Sequence, residues 1–225
     1  MNIEWLNMLY FATIFLLLFG VADILHVAMD LKPGLTRKIV HLVTGLIVLV
    51  FPYYFSNHLS VMILCAAFFV LLLLSMYFNF LPSINKVKRK TLGSLYFPIS
   101  IYFSFYIYTL EENLIFFLIP MAILAVSDTL AELIGSTLKW KPYRFHDLQK
   151  TWGGSIAFFV SSFVISLIIL RLFQLMDFDT NILISLSIAM VTTVFEAFSH
   201  RGIDNLTIPL GAILVLYFIQ HTILI

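Results

Sequence analysis

Two groups of residues in this chain could do chemistry, and both sit in oily surroundings. In the run from Ser127 to Ser136, Asp128, Glu132 and Gly135 recur at i, i+4 and i+7, which makes one polar, small-residue stripe on a helix that is apolar elsewhere. Two carboxylates on adjacent turns repel unless a cation or a proton lies between them. Hard oxygen ligands of this kind suit Mg²⁺, which takes one or two carboxylates and completes its shell with phosphate oxygens and water. Further on, Lys150-Thr151-Trp152-Gly153-Gly154-Ser155 combines an ammonium, two hydroxyls and a Gly-Gly step, the groups that bind a phosphate. Together the two groups imply a site for a metal-bound, phosphate-bearing ligand at the edge of a membrane.

Two further segments carry charge beside them. Arg37 and Lys38 precede a helix with His41 and Gly45 on one face, and either anchor the helix end or contact phosphate. Near the C-terminus, Glu196 closes one apolar run and Asp204-Asn205 opens the next, with Arg201 between them. Asp204 or Asn205 could serve simply as a helix cap, and Arg201 could simply neutralise the acids. Capping does not account for Glu196, Arg201 and Asp204 falling at the same end of the protein as Asp128.

The elements that must position these groups follow from composition. With 61% hydrophobic and 11% charged residues in 225, the chain is too apolar for an ordinary soluble domain. A hydrocarbon slab needs about 20 apolar residues per helix. Eight runs meet that need, at 4–27, 38–56, 59–80, 92–110, 113–136, 155–175, 181–199 and 205–224. The expectation is an all-α, polytopic transmembrane bundle forming one domain over 1–225. The first run has Glu4 and no Lys or Arg ahead of it, and no small-residue cleavage site after it, so it reads as a retained helix. Twelve of the thirteen Lys and Arg residues fall in the connections at 32–38, 86–90, 139–150 and at Arg201, with Arg171 as the exception. Positive charge stays on the cytoplasmic side, which places every candidate residue there and both termini outside, in a cell or inner membrane. The lone Cys65 has no disulfide or metal partner and reads as packing.

Ordinary nucleotide folds are excluded at the level of motif. The chain has no GxxxxGK[ST] loop, no GxGxxG fingerprint, no HExxH and no paired cysteines. Nothing in it points to a nucleic-acid partner. A secondary transporter is a rival reading, with Pro98 and Pro120 as candidate helix breaks, but the polar residues gather at one end rather than at the midplane.

As an ordered set these residues resemble the polyprenol kinase family, which groups phytol, farnesol and dolichol kinases with CTP-dependent diacylglycerol kinases. The resemblance rests on Arg37-Lys38 with His41 and Gly45, on Asp128-x-x-Ala131-x-x-x-Gly135, on Lys150-Thr151-x-Gly153-Gly154-Ser155, and on Glu196 followed by Gly202-x-Asp204-Asn205 and Pro209. It spans about residues 33 to 215. The chain also resembles phosphatidate cytidylyltransferases, which make CDP-diacylglycerol. Those enzymes end in a longer signature with Lys-Asp, His-Gly-Gly and Asp-Arg-x-Asp, where this chain reads Ser199-His200-Arg201-Gly202-Ile203-Asp204-Asn205. The departure favours a kinase.

The resemblance implies CTP as donor, a lipid alcohol drawn from the membrane as acceptor, and Mg²⁺ held by Asp128 and Asp204 with Glu196. Lys150, Thr151, Ser155 and the Gly153-Gly154 backbone would cradle phosphates, assisted by Arg37, Lys38 or Arg201, with Glu132, Gly135 and Asn205 lining the nucleotide site. His41 is the candidate general base or phosphate ligand.

Overall fold

The computed structural model describes residues 3–29, 31–78, 80–85, 92–145, 148–173 and 177–223. The basic cluster expected at 86–90 lies outside them. Eleven α-helices occupy the described chain: α1 (Trp5–Ala28), α2 (Pro33–Val48), α3 (Phe51–Tyr54), α4 (His58–Phe78), α5 (Pro82–Asn85), α6 (Gly93–Glu111), α7 (Ile115–Ala122), α8 (Asp128–Leu138), α9 (Trp152–Leu172), α10 (Phe178–Phe198) and α11 (Asp204–Ile223). A π-helical turn over Ile123–Ser127 joins α7 to α8 into one continuous span, Ile115–Leu138.

The eight expected apolar runs all emerge as helical segments, with shifted ends. α2 starts at Pro33, five residues ahead of the expected position, because Pro suits the first helical turn, where its missing N–H costs nothing. α9 starts at Trp152 rather than 155, because the Thr151 side chain caps it by accepting the Gly154 N–H at 3.1 Å. Six helices are long and apolar enough to cross a membrane: α1, α4, the α7–α8 span, α9, α10 and α11. α2 has 16 residues, and the α3 turn, with Pro52 at its start, follows it after a break.

Where a basic loop was expected, the chain adds two short strands, β1 (Pro142–Phe145) and β2 (Leu148–Thr151), paired antiparallel with Tyr143 opposite Lys150. This departs locally from an all-helical chain, and it carries Lys150 into the bundle instead of leaving it in solvent.

The α7–α8 span is the centre of the molecule. It is 56% buried, more than any of the other five long spans, and Phe116, Phe117, Ile119, Ile123, Leu124 and Ala125 have no exposure. α2, α6, α9 and α11 pack against it, while α10 lies on α9 and α11, and α4 lies on α6. Pro120 removes one backbone donor from this span, and the π turn follows within one turn of helix. α2 comes unusually close to the π turn, because a Cβ on Gly45 would collide with Ala125. Small residues that let backbones meet are how helices associate where lipid supplies no hydrophobic drive.

The two ends of the bundle differ in chemistry. At one end Glu4 accepts from the Ser56 N–H at 2.9 Å, and Glu111 accepts from Gln220 at 2.8 Å, which ties both terminal helices to loops of the same face. At the other end lie the described connections that carry Lys32, Lys139, Lys150 and Arg201. With the single Cys65 replaced by Ala, we expect cysteines at Gly34 and Lys139 to react with an impermeant reagent from the cytoplasm, and cysteines at Glu112 and Phe178 only from outside. Opposite labelling of Gly34 and Lys139 would break the topology expected from the eight apolar runs.

Candidate active site

At the basic end, the helices enclose a cavity of about 880 Å³. Of the fifteen candidate residues, fourteen line it: Arg37, Lys38, His41, Asp128, Glu132, Gly135, Lys150, Thr151, Gly154, Ser155, Glu196, Arg201, Asp204 and Asn205. Gly153 is not among the lining residues; the position a Cβ would occupy there points at the Trp140 side chain, 3.5 Å away. With Lys32, the lining holds five cationic and four anionic side chains. Such a density of charge persists beside hydrocarbon only because the groups face one another.

The Asp128 stripe forms as its spacing requires, with Asp128 as the first residue of α8, directly after the π turn. π turns occur frequently at functional sites because they shift backbone groups out of the regular ladder. Here the Leu124 carbonyl accepts a hydrogen bond from His41 Nε2 at 3.1 Å. A carbonyl cannot donate, so this bond puts the proton on Nε2 and leaves Nδ1 as the nitrogen able to accept one. The same Nε2 stands 3.9 Å from Asp128 Oδ2.

Two ion pairs order the cations. Lys38 Nζ lies 3.1 Å from Glu132 Oε1, where Glu132 is half exposed. Lys150 Nζ lies 2.5 Å from Glu196 Oε1 and also donates to the Glu196 main-chain carbonyl. The second pair is the more enclosed, with side-chain exposures of 15% and 9%. Removing one partner of so buried a pair costs about 3–5 kcal/mol, because the other charge is stranded. The second Glu196 oxygen, Oε2, is buried with no hydrogen-bond partner. An ionised carboxylate oxygen left in that state invites a cation or a donor from a ligand.

Asp128 lies within electrostatic reach of Asp204, Glu196, Glu132 and Lys150. Among the described residues, however, no three His, Cys, Asp or Glu side chains stand close enough to hold a metal unaided. The expected trio of Asp128, Asp204 and Glu196 shares the cavity without forming such a group. That arrangement fits Mg²⁺ better than Zn²⁺, since Mg²⁺ is commonly held by one or two carboxylates and the ligand's own phosphate oxygens.

The glycines of α8 and of the Lys150–Ser155 turn do structural work. A Cβ on Gly154 would sit 2.8 Å from the Ala131 carbonyl, and one on Gly135 would sit 2.9 Å from Thr151 Oγ1. These close approaches press the start of α9 against α8 and so hold Ser155 and Lys150 beside the Asp128 stripe. The Gly154 N–H is already taken by Thr151. Asn205 likewise acts as a clamp: its side-chain amide donates to the Gly93 carbonyl at 2.7 Å, and its own carbonyl accepts from Ser100. Gly202, at φ +89°, allows the α10–α11 connection to lie directly on Gly93, where a Cβ would meet the Gly93 Cα at 2.5 Å.

Other contributors to the site were not foreseen from sequence. Tyr143 OH lies 2.8 Å from Ser155 Oγ, across the strand pair from Lys150. No sequence signal singles out that tyrosine. The π turn had a signal in Pro120, one turn upstream. The lining of the cavity also has an apolar arm, made by Phe15, Phe51, Leu64, Phe68, Phe97 and Ile101.

Comparison with known proteins identifies the family of the chain. Residues 1–202 match the model of the cytidylyltransferase family. The chain is 31% identical over 193 residues to a phytol kinase of Synechocystis, covering 83% of this chain and 80% of that protein. It is 26% identical over 207 residues to the chloroplastic phytol kinase 1 of Arabidopsis thaliana, covering 83% of this chain and 67% of the relative. No solved structure matches it. By the extent of the family match and the identity to its relatives, the chain belongs to the cytidylyltransferase family and groups there with the polyprenol and phytol kinases.

Proposed function

We propose that this protein transfers the terminal phosphate of CTP to a membrane isoprenoid alcohol, with Mg²⁺, at the cytoplasmic face of the membrane. The coarser statement is plain: it is a membrane-embedded lipid-alcohol kinase, a phosphotransferase with an alcohol as acceptor. The observation that carries the finer reading is the single cavity that joins a charged head to an apolar arm. A nucleotide needs the first, a lipid alcohol needs the second, and phosphoryl transfer needs them in line.

Phosphoryl transfer asks the protein for positioning and charge neutralisation more than for covalent chemistry. Asp128 and Asp204 are the residues that would hold Mg²⁺, with the unpaired Glu196 Oε2 available to join them. When bound, the metal neutralises phosphate oxygens and aligns the donor. Lys150, already fixed by Glu196, presents its ammonium to the transferring group, and Arg37, Lys38 and Arg201 add positive charge around the nucleotide. The acceptor oxygen forms a bond to the terminal phosphorus while the bond to the leaving CDP oxygen breaks. The alcohol's proton passes to His41 Nδ1, because Nε2 is committed to the Leu124 carbonyl.

Product analysis tests the reading directly. With CTP labelled in its terminal phosphate and farnesol or phytol as acceptor, the label is expected in a lipid monophosphate, with CDP released. Release of pyrophosphate and formation of a CDP-lipid would establish the cytidylyltransferase reaction instead, and absence of turnover with every acceptor would remove the enzyme reading.

Lys150→Gln should lower turnover by about 100-fold or more, the size of comparable electrostatic contacts to a developing charge. Lys141→Gln, exposed in the same connection, should change it little. Since Lys150→Gln also strands Glu196, the double variant Lys150→Gln/Glu196→Gln separates the two effects. It should recover the yield of folded protein and not the activity; recovery of both would make Lys150 structural.

A further inference from the structure

We propose that Tyr143 is a positioning residue for nucleotide binding: its phenol donates to Ser155 Oγ, and this leaves the Ser155 proton free to donate to a phosphate oxygen of the nucleotide. The proposal rests on the nucleotide-dependent reading of the site and adds to it a residue of the strand pair.

The start of α9 has little to offer an anion through its backbone. A helix N-terminus leaves several N–H groups without partners inside the helix. Here the Trp152 N–H donates to the Lys141 carbonyl at 3.2 Å, the Gly153 N–H weakly to the Trp140 carbonyl at 3.5 Å, and the Gly154 N–H to Thr151 Oγ1 at 3.1 Å. The Gly153-Gly154 step is therefore used by the fold itself. What this segment presents to the cavity is side chains, namely the Lys150 ammonium and the hydroxyls of Thr151 and Ser155. Lys150 is already held by Glu196, and Thr151 by its cap.

Ser155 behaves unlike other serines of this bundle. A serine inside a helix commonly donates back to the carbonyl one turn earlier, as Ser161, Ser185 and Ser187 do at 2.7, 2.7 and 2.9 Å. Among the described residues, the Ser155 hydroxyl instead meets the Tyr143 phenol, 2.8 Å away. Tyr143 thus draws Ser155 Oγ away from the helix's own backbone and fixes where it points.

The direction of that bond decides what the serine can do. A phenol is a stronger acid than an aliphatic alcohol and is the better donor of the two, and a hydroxyl that accepts one bond still has its own proton to give. Ser155 is buried and lines the cavity, whereas Tyr143 is not among the lining residues. With the phenol as donor, the remaining proton belongs to the group that faces the ligand. The reverse direction would turn it away.

The tyrosine is held independently of its hydroxyl. It stands opposite Lys150 in the antiparallel register, which puts both side chains on one face of the strand pair. Its ring packs on Trp152 with centroids 5.8 Å apart. One strand pair thereby sends an ammonium to Glu196 on α10 and a phenol to Ser155 on α9. Because Thr151 both ends β2 and caps α9, no slack separates the two elements.

The test is calorimetric binding of a non-hydrolysable CTP analogue with Mg²⁺ to the purified protein, its Tyr143→Phe and Ser155→Ala variants, and the double variant. Tyr143→Phe keeps the ring on Trp152 and removes one oxygen. Ser155→Ala should weaken binding about tenfold or more, the size of a hydrogen bond to a charged group, and Tyr143→Phe about three- to tenfold. The double variant should lose no more than Ser155→Ala, because the phenol acts only through the serine. In turnover, Tyr143→Phe should raise KM for CTP and leave KM for the lipid alcohol and the melting temperature of the free protein unchanged. Unaltered analogue affinity in either single variant, or additive losses in the double variant, overturns the proposal and leaves the nucleotide reading intact. A lowered melting temperature with equal rises in both KM values makes Tyr143 structural and overturns it as well. If the wild type binds no analogue, the nucleotide reading itself falls and the proposal with it.

Discussion

Charge beside hydrocarbon must be neutralised by other charge, and this requirement shapes the functional end of the bundle. Glu196 on α10 meets Lys150 on β2, and Glu132 on α8 meets Lys38 on α2. Each pair spans two elements, so neutralising the charges also fixes how the helices sit around the cavity. The cost of desolvating such groups is several kcal/mol per ion, which makes the pairs poor sources of net stability. What they do is hold groups in place: the Lys150 ammonium, and a buried carboxylate oxygen, Glu196 Oε2, that has no hydrogen-bond partner.

Close backbone approach is the second device, and it lies under the first. Gly45 lets α2 touch the π turn, Gly135 and Gly154 let α8 and α9 meet, and Gly202 lets the α10–α11 connection rest on the start of α6. Each contact lies within a few residues of a charged lining residue. The π turn adds a directed carbonyl, Leu124, that sets the tautomer of His41. The polar groups of the cavity are thereby held in place by packed backbone, which suits the proposed reaction, whose barrier falls mainly through positioning.

Much of this was readable in the sequence, for physical reasons. Helices that must cross hydrocarbon advertise themselves by length, and the eight runs read from composition reappear with ends shifted by a few residues. The Asp128 stripe was readable because helical periodicity alone puts i, i+4 and i+7 on one face. Convergence was readable only in part. Positive charge said which end Lys150, Arg201 and Arg37 share, but not that Lys150 reaches Glu196 through a strand pair. The Gly-Gly step looked like a phosphate loop because glycine serves two purposes, and here Gly154 packs against Ala131 while Thr151 takes its N–H. The apolar arm had no sequence signature, since Phe51 and Leu64 are indistinguishable from lipid-facing residues until the helices are assembled.

The central claim is that the converging charges form one site for a metal-bound nucleotide. Electron paramagnetic resonance of Mn²⁺, used in place of Mg²⁺ with a non-hydrolysable CTP analogue, tests it most directly in the purified protein. Wild type should immobilise Mn²⁺ only when the analogue is present, because the described carboxylates alone do not make a metal site. Asp128→Asn, which keeps size and removes charge, should lose that signal while the protein remains folded. Undiminished, nucleotide-dependent Mn²⁺ binding by Asp128→Asn would contradict the account.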